Sequence, residues 1–439
     1  MLKLGTVFSG IGAIEHALER MDLDFEIEFA CDNNGIDLWR HMDKSEKNKK
    51  IRKIESIEDP FEKKKYVDKL HEEDRKTNFV KKSYFANYDI DEDKFYEDIK
   101  FFDGTPYENK IDLFVGGSPC QSFSLVGDRK GFEDTRGTLF YDYIRLIREI
   151  KPKVFIFENV KGVLSHDGGQ TWEIMKNVFD ELKEEFGYSW DYDILNAKDY
   201  GIPQNRERLF VIGILDDVDI EFPPKRELDT TMQDFLLDNV AKKYYLGKKG
   251  VKFVTKEKNI KKRYTQINGD IQLCQKKNQQ FNWHGDFVFI EENTGEELVE
   301  EKYFLSEKVK KYVMSTGTKN FYSEPEIDLD VSRPLLKTMH KMHRAGVDNY
   351  VTTRGKIRKL TPRECLRLMG FSDSFEIAVS DTQMYQQAGN SIVVDVLIAI
   401  VDKIFDIVPE LAEKASIKKN KKDKLEYKQL EIKDLIEVS

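Results

Sequence analysis

One of the four cysteines lies in a loop whose composition suits a reactive group. Cys120 follows the run Gly116-Gly117-Ser118-Pro119 and precedes Gln121-Ser122. The apolar run 111–115 predicts a buried strand directly before this loop, which puts Cys120 at the carboxyl edge of a sheet, where open α/β folds bind ligands. A thiolate there is a candidate nucleophile if a positive neighbour lowers its pKa. The alternative is an inert buried cysteine, which the glycine and polar neighbours disfavour.

Three charged residues lie beside other predicted strands. Glu158 ends the apolar run Val154-Phe155-Ile156-Phe157, where desolvation favours a protonated carboxyl group. The alternative is a salt-bridged carboxylate. Arg206 and Arg208 alternate before a strand predicted at 209–214, so both are expected to point the same way. The alternative for them is a solvent-exposed pair.

A glycine turn near the start predicts a ligand loop. Phe8-Ser9-Gly10-Ile11-Gly12 lies between a strand and a helix, where small residues expose backbone N–H groups. Asp32 ends the next strand, where an acid can hold ribose hydroxyls. Glu15 takes the place of the third glycine of a dinucleotide fingerprint, so a nucleoside without a pyrophosphate is favoured over NAD. A tight turn beside a solvated Asp is the alternative.

The elements that position these residues alternate between strand and helix. Strands are predicted at 4–8, 25–31, 111–115, 154–157, 188–195 and 209–214, and helices at 13–21 and 139–149. This pattern predicts an α/β fold with a doubly wound, mostly parallel sheet, Rossmann-like in form. In residues 43–83, Ile51, Ile54, Ile57 and Phe61 recur at helical spacing, which indicates a charged helical insertion on the surface.

After Pro223-Pro224 the chain becomes polar, rich in Lys, Asn and Gln, and loses the regular alternation of strands and helices. We expect a catalytic and cofactor-binding domain over 1–224, a smaller target-recognition domain over 225–349, a return to the first domain over 350–415, and a Lys-rich tail over 416–439. Thr361-Pro362-Arg363-Glu364 predicts a capped helix start in the returning segment.

Composition narrows the class of protein. The chain has 439 residues with 40% hydrophobic side chains, enough for two or three domains with real cores. No run of about 18 apolar residues occurs, and no CxxC pair suggests a zinc site or disulfides. The sequence therefore predicts an intracellular, reduced, soluble protein without a metal.

Net charge is −9, which by itself argues weakly against a polyanionic partner. The charge is uneven, because residues 242–277 hold twelve Lys or Arg and two acids. Such a run can bind phosphates, although a solvated basic face is the bland alternative.

At this point the chain resembles a known family, the DNA (cytosine-5)-methyltransferases. Six segments resemble family motifs and occur in the family's order: Phe8 to Gly12, Gly116 to Ser124, Glu158-Asn159-Val160, Gln204 to Arg208, Arg358 to Cys365, and Gly389 to Val393. The resemblance covers roughly residues 4–215 and 355–405. It departs from the family at Ala13, at Asn33, and at Pro334-Leu335, where members usually carry Thr-Leu.

The resemblance implies catalytic residues and a cofactor. Cys120 would add to C6 of a flipped cytosine. Glu158 would donate a proton or a strong hydrogen bond to N3. Arg206 and Arg208 would bind the cytosine O2, a phosphate, or the side of the site that holds the thiolate. The donor would be S-adenosylmethionine, with S-adenosylhomocysteine as product. Its binding residues would be Phe8, Gly10, Ile11, Asp32, Asp89, Ile90, Pro119, Leu139, Asn390 and Ser391.

For DNA, the segment 122–137 resembles the family's mobile catalytic loop, and 225–349 stands in the place of its variable recognition domain. The predicted DNA-binding residues are Ser124, Lys130, Arg136, Lys248, Lys249, Lys261, Lys262 and Arg333.

The sequence is compatible with three functions. The first is a sequence-specific DNA cytosine methyltransferase of restriction-modification or phage and orphan type. It would be a cytoplasmic, nucleoid-associated monomer that acts on double-stranded DNA, with a cognate restriction endonuclease as a possible partner and no membrane contact. The second is a tRNA cytosine methyltransferase, which the long basic region disfavours. The third is a catalytically dead DNA-binding relative, which the presence of Cys120, Glu158, Arg206 and Arg208 disfavours.

Overall fold

The computed structural model describes residues 1–74, 76–118, 139–237, 248–262, 264–267, 285–287, 329–336, 349–353 and 356–416. In these ranges the helices are α1 Ala13–Arg20, α2 Lys44–Glu55, α3 Pro60–Glu73, α4 Phe79–Asn87, α5 Leu139–Ile150, α6 Gln170–Phe186, α7 Lys248–Val254, α8 Glu257–Lys261, α9 Pro362–Arg367, α10 Asp381–Asn390, α11 Val394–Ile407 and α12 Pro409–Ala415. The strands are β1 Leu2–Val7, β2 Phe25–Cys31, β3 Phe95–Tyr96, β4 Leu113–Gly116, β5 Val154–Val160, β6 Ser189–Asn196, β7 Glu207–Ile214, β8 Thr265–Ile267, β9 Gly285–Phe287, β10 Tyr350–Thr353 and β11 Lys356–Lys359.

Seven strands form one sheet in the order β3-β2-β1-β4-β5-β7-β6. The pairs β1–β2, β1–β4, β2–β3 and β4–β5 are parallel, whereas β7 runs antiparallel to both β5 and β6. The predicted doubly wound, mostly parallel fold is confirmed, with β7 as the reversed strand. The strand order changes direction between β1 and β4, and at such a point the loops leave a crevice at the carboxyl edge.

Both faces of the sheet are covered by helices, because successive strand side chains point to opposite faces. In β5, Val154 and Ile156 pack into one core cluster with α1, α10 and α11, while Phe155 and Phe157 pack into the other with α5 and α6. Burial on both faces explains why β5 reads as a continuous apolar run.

The charged region 43–83, predicted as a helical insertion on the surface, contains α2, α3 and the start of α4. The helical periodicity breaks at Asp59, whose carboxylate caps α3 by accepting from the amides of Phe61 and Glu62. Ile54 is buried with Val67 and Leu70 in a small cluster of its own, and Phe61 is 50% exposed. The last helix, α4, packs into the main core through Tyr84.

Both described ends of the region 225–349 pack on the main core. Met232, Leu329 and Leu335 belong to the same buried cluster as β1 and α11, and Ser332 forms a bridge with Gln204. The β10–β11 hairpin instead lies against β9, where the rings of Phe287 and Tyr350 stack with centroids 4.6 Å apart. In the described residues the chain therefore leaves the core after 237, and the hairpin 350–359 packs with the region predicted as the recognition domain.

The predicted helix start at Thr361 is present as a complete capping box. The Thr361 side chain accepts from the amide of Glu364, and the Glu364 carboxylate accepts from the amide of Thr361. No helix in the described ranges is long and apolar enough to cross a membrane.

Candidate active site

The chain that leads to Cys120 starts against Glu158. Gly117 follows β4, and a Cβ placed on it would lie 2.9 Å from both the backbone oxygen and Oε2 of Glu158. Asn159 Nδ2 donates to the backbone oxygen of Ser118 at 3.2 Å. A glycine is therefore required where the loop passes the carboxyl group. Cys120 and Pro119 lie outside the described residues.

Glu158 combines burial with a nearby cation. Its Oε1 lies 3.0 Å from Arg208 Nε, and the side chain is 14% exposed. Burial raises the pKa of Glu158 above its ordinary value, although the charges of Arg208 and Arg206 and the hydrogen bond from Arg208 oppose the shift. The expected direction of the pKa shift is thus present together with the alternative, a salt bridge.

The reversed direction of β7 explains this contact. Val160 pairs with Arg208 and Glu158 pairs with Phe210 across antiparallel β5 and β7. Residues 158 and 208 are therefore diagonal neighbours on one face of the sheet, within reach of long side chains. A parallel β7 would have put Arg208 at the opposite edge.

The two arginines act on different partners. Arg206 is buried, and its guanidinium donates to the backbone oxygens of Ser391 at 2.8 Å, Gly389 at 3.3 Å and Leu335 at 3.4 Å. Arg208 instead contacts Glu158 and donates to the backbone oxygen of Glu207. The charges of both arginines lower the pKa of Glu158 and oppose the effect of burial.

The glycine loop lies over the ends of β1 and β2. Phe8, Gly10 and Gly12 have φ values of 53°, 55° and 76°, so the turn is left-handed at three positions. The Asp32 carboxylate accepts from the amides of Gly10 at 3.0 Å and Asn34 at 2.7 Å. Burial raises the pKa of Asp32, and these two bonds oppose the rise. Each oxygen of Asp32 keeps acceptor capacity for a hydroxyl group.

The remaining cofactor candidates differ in burial. Ile90 and Ile11 are buried in the same cluster, Asp89 is exposed, and Leu139 begins α5 half-buried. Asn390 is exposed at the end of α10, and Ser391 is buried with its backbone oxygen on Arg206. The Asp32 carboxylate on a turn that contains Gly10 and Gly12, with Ile11 and Ile90 in the adjoining core, fits a nucleoside cofactor.

A family model described as C-5 cytosine-specific DNA methylase matches residues 54–406. The chain belongs to this family. It is 31% identical over 402 residues to the orphan methyltransferase M.SPRI of Bacillus phage SPR, covering 74% of this chain and 89% of the relative. It is 35% identical over 296 residues to the type II methyltransferase M.HhaI of Haemophilus parahaemolyticus, covering 65% of this chain and 73% of the relative.

Solved structures agree on the fold. The Dnmt2 methyltransferase of S. pombe has a TM-score of 0.55 at 16% identity, covering 92% of this chain and 99% of that one. A putative DNA modification methyltransferase encoded within a prophage of E. coli has a TM-score of 0.52 at 18% identity, covering 93% and 100%. Cytosine-5 methyltransferases as a family use S-adenosylmethionine. Within the described ranges, no group of three His, Cys, Asp or Glu could hold a metal ion.

Of the residues predicted for DNA in this methylase, some face solvent and one does not. Lys261 is 73% exposed and pairs with Glu257 at 2.6 Å, and Lys262 lies 5.7 Å from the ring centroid of Tyr264. Arg333 is fully buried, which disagrees with a DNA-contacting role, because its place beside Asn349 in the interior keeps it from any surface. For Lys248 and Lys249 the structure gives the backbone in α7, and Ser124, Lys130 and Arg136 lie outside the described residues.

Sequence reasoning missed residues that hold the cofactor loop from a distance. Tyr88 packs against Gly12, where a Cβ would come within 2.1 Å of its ring, and its hydroxyl donates to the backbone oxygen of Gly12 at 2.7 Å. Asn78 donates to the backbone oxygen of Asp32 at 2.8 Å. These partners are separated from the loop by many residues, so no local pattern indicates them.

Proposed function

We propose that this chain transfers a methyl group from S-adenosylmethionine to C5 of a cytosine in duplex DNA. The observation that carries the proposal is the arrangement of Gly117, Glu158 and Arg208 at the carboxyl edge, beside the segment that leads to Cys120. A site of this kind cannot reach a stacked base, so the cytosine must be flipped out, at a cost of a few kcal/mol in unstacking.

Cys120 is the proposed nucleophile. Cytosine C5 is a poor nucleophile until a thiolate bonds to C6 and makes the ring enamine-like. When bound, S-adenosylmethionine supplies the methyl group as an electrophile. After methylation the C5 proton is removed, the C6–S bond breaks, and the thiolate returns. In the sequence, Cys120 follows by two residues Ser118, whose backbone oxygen accepts from Asn159 Nδ2.

Glu158 is the proposed partner of the cytosine N3, where negative charge develops as the thiolate adds. Burial raises the pKa of Glu158, which favours the protonated, donating form. Arg208 orients that carboxyl group through its Nε and is the candidate for cytosine O2. Arg206 is a positioning residue, since its donors already bind the backbone oxygens of 335, 389 and 391.

The cofactor is proposed to occupy the turn between β1, β2 and the end of α10. Asp32 would accept from the ribose hydroxyls, and Phe8 would lie against the adenine or the sulfonium region. The other proposed contacts are Gly10, Ile11, Asp89, Ile90, Pro119, Leu139, Asn390 and Ser391.

We further propose that the chain from 238 to 328, with the β10–β11 hairpin, forms the target-recognition domain. Its basic run would bind the DNA backbone while polar side chains read base edges. The protein would then act as a monomer on duplex DNA in the cytoplasm, as the modification enzyme of a restriction-modification system or as an orphan methylase. Exposed Lys261 at the end of α8 supports this assignment.

Bisulfite sequencing of host DNA tests the proposal. Expression of the wild type should protect cytosines in one fixed sequence context, and expression of Cys120→Ala should protect none. Cys120→Ala should still bind DNA. Protection that persists in the variant would refute the nucleophile, and soluble wild-type protein that protects no cytosine would refute the DNA substrate.

A further inference from the structure

A buried carboxyl group lies beneath the glycine loop and has no part in the chemistry above. Glu15, in the first turn of α1, is fully buried. Its Oε1 accepts from Thr6 Oγ1 at 3.0 Å and from Tyr84 Oη at 2.5 Å. Its Oε2 is buried without a hydrogen-bond partner in the part of the chain that the structure describes. A carboxylate in this place therefore accepts side-chain hydrogen bonds on one of its two oxygens only.

The charges around Glu15 do not neutralise it. Glu19, one turn further along α1, is the charged side chain that acts on Glu15, and it disfavours ionisation. Tyr84 of α4 and Tyr88, the residue after that helix, act on Glu15, and burial holds the pKa of each well above its ordinary value, so both stay neutral. Glu15 forms no ion pair with a cation in the described ranges. Its negative charge is therefore uncompensated.

A chain of hydroxyl groups connects Glu15 with the cofactor loop. Thr6 Oγ1 lies 2.7 Å from Ser9 Oγ, and Ser9 Oγ accepts from the amide of Cys31 at 3.0 Å and lies 3.3 Å from its backbone oxygen. Cys31 precedes Asp32, whose carboxylate holds the amide of Gly10 at 3.0 Å. Glu15 thus contacts both halves of the cofactor turn through short, consecutive hydrogen bonds.

The charge of Glu15 sets the direction of that chain, because each hydroxyl group has a single hydrogen to donate. An ionised Glu15 can only accept, so Thr6 and Tyr84 both donate to it and Ser9 donates to Thr6. A protonated Glu15 has a hydrogen of its own, which frees Thr6 to donate to Ser9 and Ser9 to donate to the backbone oxygen of Cys31. Burial raises the pKa of Glu15 to about 7, so both forms are populated near neutral pH.

We propose that Glu15 is a positioning residue for the cofactor loop and that its ionised form favours the positively charged cofactor over the neutral product. The inference rests on the proposed function, which makes S-adenosylmethionine the cofactor. The donor carries a sulfonium charge and the product a neutral thioether. An uncompensated carboxylate in a low-dielectric interior attracts a nearby cation more strongly than it would in water. The enzyme would thereby hold the donor and release the product.

Linkage gives the sign of the pH effect. If the bound cation lowers the pKa of Glu15, binding releases a proton, and affinity for the donor rises as the pH rises through the pKa of the free protein. Affinity for the product changes less. The ratio of the product Kd to the donor Kd should therefore increase about three- to tenfold between about pH 6 and about pH 8, since one pKa unit corresponds to tenfold. The sulfonium charge also makes the amino group of the donor more acidic than that of the product, so the ratio measured in Glu15→Gln is the baseline for the ligands' own titration.

Isothermal titration calorimetry with S-adenosylmethionine and S-adenosylhomocysteine measures this ratio without any methyl transfer. In Glu15→Gln the contribution of Glu15 should be absent, so that the ratio changes with pH only through the titration of the ligands themselves. Tyr84→Phe removes a hydrogen bond that lowers the pKa of Glu15, so the midpoint should move to higher pH. His16→Gln, at the neighbouring buried position on Ser372, is the control and should keep the wild-type profile.

A wild-type pH profile in Glu15→Gln would overturn the proposal. If Glu15→Gln does not fold, an unchanged midpoint in Tyr84→Phe would overturn it equally. Tight binding of both ligands with a ratio that follows the Glu15→Gln baseline at every pH refutes the role of Glu15 and leaves the methyltransferase function intact. Failure of both ligands to bind at any pH would refute the cofactor assignment itself, and the role of Glu15 with it.

Discussion

Gly117→Ala tests whether the approach of the cysteine loop to Glu158 matters for catalysis. The new Cβ would lie 2.9 Å from the backbone oxygen of Glu158 and 2.9 Å from its Oε2. Ordinary contacts of a Cβ are about half an ångström longer, and a backbone oxygen in a central strand cannot give way as a flexible side-chain end can. The strand and the loop must therefore move apart by several tenths of an ångström.

Two magnitudes follow from that displacement. Overpacking of a close-packed site costs typically ~1–3 kcal/mol in stability. A misplacement of ~1 Å between reacting groups can lower a rate by ~100-fold. We expect kcat to fall about 10- to 100-fold with a smaller change in the Kd for the cofactor, because the glycine loop and Asp32 follow other strands and Pro119 is the one proposed cofactor contact in the cysteine loop. Single-turnover methylation of duplex DNA and cofactor calorimetry measure the two quantities.

Gly162→Ala is the matched control. Gly162 is exposed in the turn after β5, and the nearest atom to its added Cβ is Val160 Cγ2 at 4.0 Å, an ordinary contact. This variant should keep wild-type kcat. Wild-type kcat in Gly117→Ala, or an equal loss in both variants, would show that the spacing between the loop and Glu158 does not control the reaction.

Further predictions concern Glu158, Arg206 and the basic run. In the wild type, kcat should fall as the pH rises through the raised pKa of Glu158, because the protonated, donating form is lost. Glu158→Gln should lower kcat by ~100-fold or more and remove this pH dependence. If the variant keeps the pH dependence, another group is responsible for it. Arg206→Lys leaves buried backbone oxygens without donors and should lower the free energy of unfolding by ~1–3 kcal/mol in thermal scans. The same change at Arg148, whose partners are the exposed carboxylates of Glu181 and Glu185, should leave the melting temperature near wild type. Equal losses would contradict the positioning role. Replacing Lys248, Lys249, Lys261 and Lys262 by Gln should reduce the salt slope of DNA binding by ~0.9 for each phosphate that the protein no longer neutralises, and an unchanged slope would mean that the run is only solvated.

Much of the sheet could be predicted because its strands are buried on both faces. The apolar run beginning at Val154 and the strand Phe25–Cys31 were both identified, and the helix from Leu139 ends within one residue of its predicted end. β5 extends to Val160, beyond its predicted end at 157, because backbone pairing with β7 continues through polar Glu158 and Asn159. Periodicity reports burial, and it is silent about hydrogen bonds between polar residues of neighbouring strands.

The insertion and the recognition region show where local patterns fail. Ile51, Ile54, Ile57 and Phe61 match a helical period, yet Ile51 and Ile54 lie in α2, Ile57 lies between the helices, and Phe61 lies in α3 after the Asp59 cap. The segment 329–336 has no strong hydrophobic periodicity of its own, and its position on the core depends on contacts with Gln204 and Arg206. Similarly, Arg333 looks like any surface arginine in the sequence, while the fold buries it completely.

The sequence by itself determined the chemistry that this protein has available: a cysteine loop, a carboxyl group at a strand end, an arginine pair and a glycine turn, each next to a recognisable strand or helix. Residue type and local spacing suffice for that, because strands and caps are short-range features. Only the tertiary structure decided that β7 runs backwards, so that Arg208 meets Glu158 across the sheet. It also decided that Arg206 and Tyr88 hold backbone far away in the chain, and that Glu15 is sealed without a cation among the described residues. These outcomes depend on which strands become neighbours, a choice made by the packing of the whole core.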